Sequence, residues 1–326
     1  MKALIVGLGS IGTRHARNLA ALGHEVLGFD PAEARRAACA FPTVDDLPKG
    51  LAARCNFAVI ASPNRYHVEQ AMAAASAGLH LFIEKPLAVS SQGLAALREA
   101  ADRNGLCSLV GSNWKFHPAL AEAKRLVESG EIGDPLAVQA VGGQYLPDWH
   151  PWEDYRRGYS ARLDLDGGAL FDSHEVDLLT WLLGPVASVN CRIARSGTLD
   201  IETEDLVCMT LAFRSRALGT LQLDYLQHPY CRRIHITGSR GTLVWDALEN
   251  EVVHYSAADK RWHRWKTPLA YEINQMYVEE MRHFTSCIEG AATSWSPLGH
   301  AAHVVAIYDA ARASSSRGGA PQEVAA

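Results

Sequence analysis

The sequence has no apolar run longer than a strand, so no stretch reads as a membrane-spanning helix. It also has no basic block. Its 31 Lys and Arg and 36 Asp and Glu are spread along 326 residues for a net charge of -5, which leaves no stripe for nucleic acid or an anionic membrane. No CxxC pair occurs: Cys39, Cys55, Cys107, Cys191, Cys208, Cys231 and Cys287 are scattered, as expected of reduced, mostly buried thiols in a cytoplasmic protein. His228 with Cys231 is the only metal-like spacing, and without a second pair no metal site is expected. The opening MKALIVGLGS lacks a small-residue cleavage site and runs straight into a glycine motif, so it reads as a first strand rather than a signal peptide.

At this length one core rarely suffices, and two domains are expected. Through about residue 116, short apolar runs (Ala3–Val6, Glu25–Phe29, Phe57–Ala61, Leu79–Ile83, Leu106–Gly111) alternate with helical patterns at Gly12–Leu22, His67–Ala77 and Ser91–Arg103. That alternation predicts βαβ units, hence an α/β Rossmann domain with a doubly wound parallel sheet over 1–116. From 117 to 326 the pattern changes. A helix over Pro118–Ser129 precedes strand-like runs joined by tight turns at Arg214–Arg216 and Gly238–Gly241, predicting an α+β domain with a large, mostly antiparallel open sheet. Ile273, Met276, Tyr277, Met281, Phe284 and Ile288 fall at helical spacing and read as a core-facing stripe, while the small, polar tail after Ser314 reads as frayed.

The run Gly7-Leu8-Gly9-Ser10-Ile11-Gly12 matches GxGxxG, directly after an apolar strand and opening a helix. Gly7 permits the tight turn, Gly9 lets the backbone approach a pyrophosphate, and Gly12 lets helix and strand pack closely. The helix N-terminus supplies free N–H groups and partial positive charge to the phosphates. Asp30 ends the second strand, at the spacing of the acid that bonds the adenosine ribose. A carboxylate there favours NAD over NADP, and Arg35 and Arg36 just beyond keep that preference moderate.

Two further segments narrow the reading. One is Ala61-Ser62-Pro63-Asn64 with His67, then Gly78 through Glu84-Lys85-Pro86; the other is Gly167-Gly168 followed by Asp172, His174 and Asp177. With the GLGSIG start, their order and distance resemble the Gfo/Idh/MocA family, the glucose–fructose oxidoreductase and inositol dehydrogenase relatives, over nearly the whole chain. The resemblance implies NAD-dependent interconversion of a hydroxyl and a ketone. Ser62, Pro63, Asn64, His67, Glu84 and Lys85 join the glycine turn and Asp30 around the cofactor. It implies Lys85 at the reacting oxygen and His174 as acid–base, and the chemistry agrees. An ammonium at the carboxyl edge of the sheet stabilises developing alkoxide, and an imidazole of near-neutral pKa is the natural proton carrier.

His174 and Asp177 are three apart on a predicted helix and share a face with Leu170 and Trp181, so Asp177 is placed to orient the ring or bind a substrate hydroxyl. Many relatives carry an Asp four residues before this His; here that position is Leu170. Asp172, only two before, is either a reduced member of a Lys–Asp–His set or the N-cap of a capping box with Glu175.

Tyr145 to Arg162 (YLPDWHPWEDYRRGYSAR) gathers aromatics, acids and arginines in one irregular segment, suited to a sugar, polyol or sugar acid or else to a subunit interface. Lys115 and His117 in the NWKFHP stretch resemble family cleft residues, while Asp224, Tyr225, His228, Tyr230 and Arg232 either line the cleft or decorate a sheet edge. An NAD-dependent glycosidase, acting by transient oxidation and elimination, is the alternative activity that the resemblance allows. Strands that do not alternate cleanly leave a partly apolar sheet face, and with the resemblance this predicts a homodimer or homotetramer built through the second domain.

Overall fold

The computed structural model describes residues 1–325. The elements run β1 (Lys2–Val6), α1 (Ser10–Ala21), β2 (Glu25–Phe29), α2 (Glu33–Ala37), β3 (Thr43–Val44), α3 (Leu47–Leu51), β4 (Phe57–Ile60), α4 (His67–Ser76), β5 (His80–Ile83), α5 (Leu94–Arg103) and β6 (Ser108–Val110). There follow α6 (Pro118–Glu128), β7 (Pro135–Gly143), α7 (Glu175–Leu183), β8 (Val186–Ala194), β9 (Leu206–Phe213), β10 (Leu218–Asp224), β11 (Cys231–Gly238), β12 (Gly241–Asp246), β13 (Glu251–Ser256) and β14 (Arg261–Lys266). The chain closes with α8 (Asn274–Ile288), α9 (Leu298–Ser316) and β15 (Gln322–Glu323).

Two compact units result. The first is Met1–Asn113 with Glu272–Val305, and the second is Trp114–Tyr271 with Ala306–Ala326. The sequence division at 116/117 falls close to the 113/114 boundary, but it assigned α8 and the start of α9, through Val305, to the second half. A helical stripe records that a face is buried, not which sheet buries it. In α8, Met281 and Phe284 are fully buried. Phe284 meets Phe57 edge-on at 5.4 Å and Phe82 at 5.7 Å, inside the first unit's core. Ile273 lies off the stripe, 70% exposed at the N-cap of α8.

The first unit's sheet has the order β3-β2-β1-β4-β5-β6 and is parallel throughout. The order reverses between β1 and β4, the switch point at which such sheets bind ligands beyond their strand ends. Phe57, Ala58, Val59 and Ile60 of β4 are all fully buried, as a central strand covered on both faces requires.

The second unit's sheet runs β14-β13-β12-β11-β7-β10-β9-β8-β15, and among its described strands only β7 and β10 pair in parallel. Its strands alternate more cleanly than the residue types imply. Val207, Met209, Leu211, Leu221 and Leu223 are buried, whereas Cys208, Thr210, Thr220 and Gln222 between them are exposed. β14 (RWHRWK) escapes detection because it carries no apolar row; it is an edge strand kept charged. The tail does not fray. α9 continues to Ser316, Gln322 and Glu323 pair with Val189 and Ser188 of β8, and Val324 is buried. Among the described residues no helix is long and apolar enough to cross a membrane.

Candidate active site

In the first unit the glycine turn follows β1. Gly7 has φ +96°, and a Cβ there would stand 2.7 Å from the Ala61 carbonyl oxygen, so both space and backbone demand glycine. A Cβ on Gly12 would lie 1.9 Å from the Gly7 oxygen, so α1 packs onto the turn only without one. At Gly9 the nearest group is an Arg35 nitrogen, 3.9 Å from where a Cβ would be. Backbone there is bare to an approaching pyrophosphate. Gly9 is the N-cap of α1 and no side chain caps the helix, leaving the N–H groups that Ser10 and Ile11 lead into available to phosphate oxygens. Asp30, just past β2, is 2% exposed and accepts the Leu8 N–H at 2.9 Å and the Ala32 N–H at 2.9 Å. These residues fit a dinucleotide.

Beyond β4, Ser62 bonds Gln70 through its hydroxyl at 2.6 Å, and Pro63 and Asn64 start a short helical turn. His67 is fully buried, its ring set between the Ser62 carbonyl at 2.8 Å and the Pro86 carbonyl at 2.9 Å. Burial pushes this imidazole below its usual value against the pull of the two carbonyls. It thus ties the segment after β4 to the segment after β5, a positioning role. Glu84, at the end of β5, accepts a hydrogen bond from His15 Nε2 at 2.6 Å and from the Lys85 N–H at 3.2 Å. Burial pushes the Glu84 carboxyl up, but the His15 hydrogen bond and charge, with the Lys85 ammonium, outweigh it and hold it below the ordinary range. Lys85 is half-buried, and its peptide bond to Pro86 is cis. Sequence reasoning passed over His15, fully buried on α1; its signal was a His three residues past the last glycine of the motif.

In the second unit the expected helix over His174 and Asp177 begins only at Glu175, with His174 as its N-cap, so Leu170 lies outside it. Asp172 is no cap: it accepts the hydroxyls of Tyr159, Ser160 (2.7 Å) and Tyr225 (3.1 Å) and is buried. Burial, then the charge of Asp172, raises the Tyr225 phenol well above its usual value, so it stays a hydroxyl donor. Glu175 accepts the His174 N–H at 3.0 Å and not the Asp172 N–H that a capping box would give it, which goes to the Gly168 carbonyl at 3.1 Å, and it pairs with Arg232 at 2.6 Å. Asp177 pairs at 2.7 Å with Lys115, which is fully buried. His117 is the N-cap of α6, its Nδ1 accepting the Ala119 N–H at 3.3 Å. Burial pushes it down to about 4.

Asp172, Glu175, Asp224, Tyr225, Tyr230 and Arg232 line one small cleft of about 30 Å³, with Trp149 from the aromatic segment at its edge. Of the Asp224-to-Arg232 cluster, Asp224, Tyr225, Tyr230 and Arg232 line this cleft and His228 does not, while Tyr159 and Ser160 bring the 145–162 segment onto Asp172. His228 lies against Tyr145, the ring centroids 4.1 Å apart and the planes tilted by 39°. Arg156 and Arg162 pair with Asp154 and Asp164, and Trp152 is 76% exposed. Gly142 and Gly143, which end β7, were missed. A Cβ on the first would sit 2.4 Å from the Glu175 carboxyl carbon, and on the second 2.8 Å from an Asp224 oxygen. Paired glycines at a strand end are the signal, since something must approach closely there.

A parallel sheet with this switch point, a glycine turn that admits no side chain and a buried acid just past β2 define a dinucleotide-binding Rossmann domain. Residues 1–112 match the oxidoreductase family with NAD-binding Rossmann fold, GFO/IDH/MocA, and residues 120–244 match the GFO/IDH/MocA C-terminal domain. The chain belongs to the Gfo/Idh/MocA family of oxidoreductases. It is 24% identical over 310 residues to scyllo-inositol 2-dehydrogenase (NAD(+)) of Bacillus subtilis (strain 168), covering 90% of this chain and 87% of that one. It is 29% identical over 214 residues to levoglucosan dehydrogenase of Pseudarthrobacter phenanthrenivorans, covering 57% of this chain and about half, 54%, of that enzyme. The solved structure of levoglucosan dehydrogenase in complex with NADH and levoglucosan shares the fold at TM-score 0.89 and 21% identity, with 100% of each chain covered.

Proposed function

We propose that the chain interconverts a hydroxyl and a ketone on a sugar, polyol or sugar acid by hydride transfer with NAD. Asp172 carries the reading: a buried carboxylate, two residues from His174, that gathers three hydroxyl donors in a cleft walled by Tyr, Trp and Arg. The aromatic faces and the guanidinium around that carboxylate suit a polyhydroxy ligand, and inositol and levoglucosan dehydrogenases are among the relatives. NAD supplies the hydride acceptor. Lys85 stabilises the developing alkoxide, and His174 takes and returns the hydroxyl proton. Asp172 orients the substrate or the imidazole. Asp177 is set apart from this chemistry, since its partner is the buried Lys115.

Free sugars, inositols, sugar acids and nucleotide sugars incubated with NAD and followed by NADH absorbance test the reading. Reduction of NAD by at least one class is expected. Release of a free sugar from a glycoside without net NADH would replace it with the eliminating glycosidase, and no reaction with any class would refute it.

A further inference from the structure

Asp30 is the acid expected to reject a 2′-phosphate, yet it does not stand alone. Its Oδ2 accepts the Leu8 N–H at 2.9 Å and an Arg35 Nη1–H at 3.3 Å, and its Oδ1 accepts the Ala32 N–H at 2.9 Å. A carboxylate offers about four acceptor positions, so three are taken and one is left for a ribose hydroxyl. Arg35 is 57% exposed, and its Nη1 is also the group nearest Gly9, so its guanidinium spans from the end of β2 to the glycine turn. Arg36 donates to the carbonyl oxygens of Asp30 at 2.7 Å and Pro31 at 2.9 Å. With exposed Glu33, the charges of Asp30, Glu33, Arg35 and Arg36 cancel instead of leaving the net negative strand end that repels phosphate.

We propose that Arg35 reads the adenosine 2′ position. Against a 2′-hydroxyl it stays on Asp30; against a 2′-phosphate it turns its planar fork to the phosphate oxygens and relieves the repulsion. The chain then binds NADPH as well as NADH, with NADH preferred by less than about 100-fold, a margin smaller than an uncompensated like-charge contact imposes.

Equilibrium titration of NADH and NADPH, read by nicotinamide fluorescence, tests this in the wild type, Arg35→Ala and Arg35→Lys without any substrate. Arg35→Ala should weaken NADPH by about tenfold or more while NADH stays within about threefold. Arg35→Lys should fall between, keeping the charge but not the fork. Salt should weaken NADPH more than NADH in the wild type, and this excess should vanish in Arg35→Ala. Equal weakening of both cofactors in Arg35→Ala would assign the arginine to the pyrophosphate and overturn the proposal. So would a wild-type preference for NADH beyond about 100-fold.

Discussion

Replacing His15 by Phe keeps a ring of similar bulk against Phe82 (5.0 Å) and Tyr277 (6.0 Å) and removes one hydrogen bond, the one to Glu84. His15 Nδ1 has no hydrogen-bond partner among the described residues, so nothing else polar is lost. Breaking a buried pair from one side costs about 3–5 kcal/mol. The Glu84 side chain is 14% exposed and keeps the Lys85 N–H, which places His15→Phe near the lower end, about 3 kcal/mol. His15→Gln, whose amide nitrogen can take the place of Nε2, should recover most of that loss.

The pH dependence distinguishes this from lost packing. The folded-state carboxyl of Glu84 sits below its unfolded value. Its contribution is therefore present above the ordinary Glu range and is lost as pH falls through that range and below it. Without His15 the burial effect dominates and Glu84 protonates readily, so the gap between wild type and His15→Phe should narrow on acidification. Urea unfolding of the cofactor-free proteins, followed by circular dichroism from about pH 7 to about pH 4, measures it. A penalty below about 1 kcal/mol, or one that stays constant or grows as pH falls, would refute the reasoning.

Lys85→Ala and His174→Ala should each abolish turnover of a substrate found in the screen while NADH binding survives; near-normal kcat in His174→Ala would make the histidine structural. Asp172→Asn points an amide N–H toward groups that already donate, so it should cost about 1–3 kcal/mol in stability, beyond what a surface cap loses, and this is readable by the same urea titration. His117 is held neutral down to about 4, so between there and the ordinary imidazole value the unfolded chain binds a proton that the folded ring refuses. Stability should fall as pH falls across that window, and His117→Asn, which retains a cap, should flatten the slope. The sheet face carrying Thr210, Thr220, Gln222 and the 63% exposed Leu218 should be covered by a second copy; light scattering after gel filtration showing only a 35.5 kDa species would exclude this.

Both unit architectures and the dinucleotide turn were legible in the sequence, because each rests on local physics. Strand periodicity marks which face is buried. GxGxxG after a strand is dictated by the space around Gly7 and Gly12, and an acid ending β2 is fixed by its distance along the chain. What local patterns could not carry was partner choice. Asp172 and Glu175 look like a capping box when only helix spacing is considered. Tertiary folding instead delivers three hydroxyls to the first and Arg232 to the second, from residues up to 57 positions away. Asp177 has the spacing to serve His174, yet Lys115, 62 residues distant, takes it. α8 has a stripe that any sheet would bury, and only packing against Phe57 and Phe82 decides that it is the first unit's. A side chain's backbone setting is written within a few residues of it. The group that satisfies its charge arrives through the fold, and a buried charge must take the partner the fold delivers.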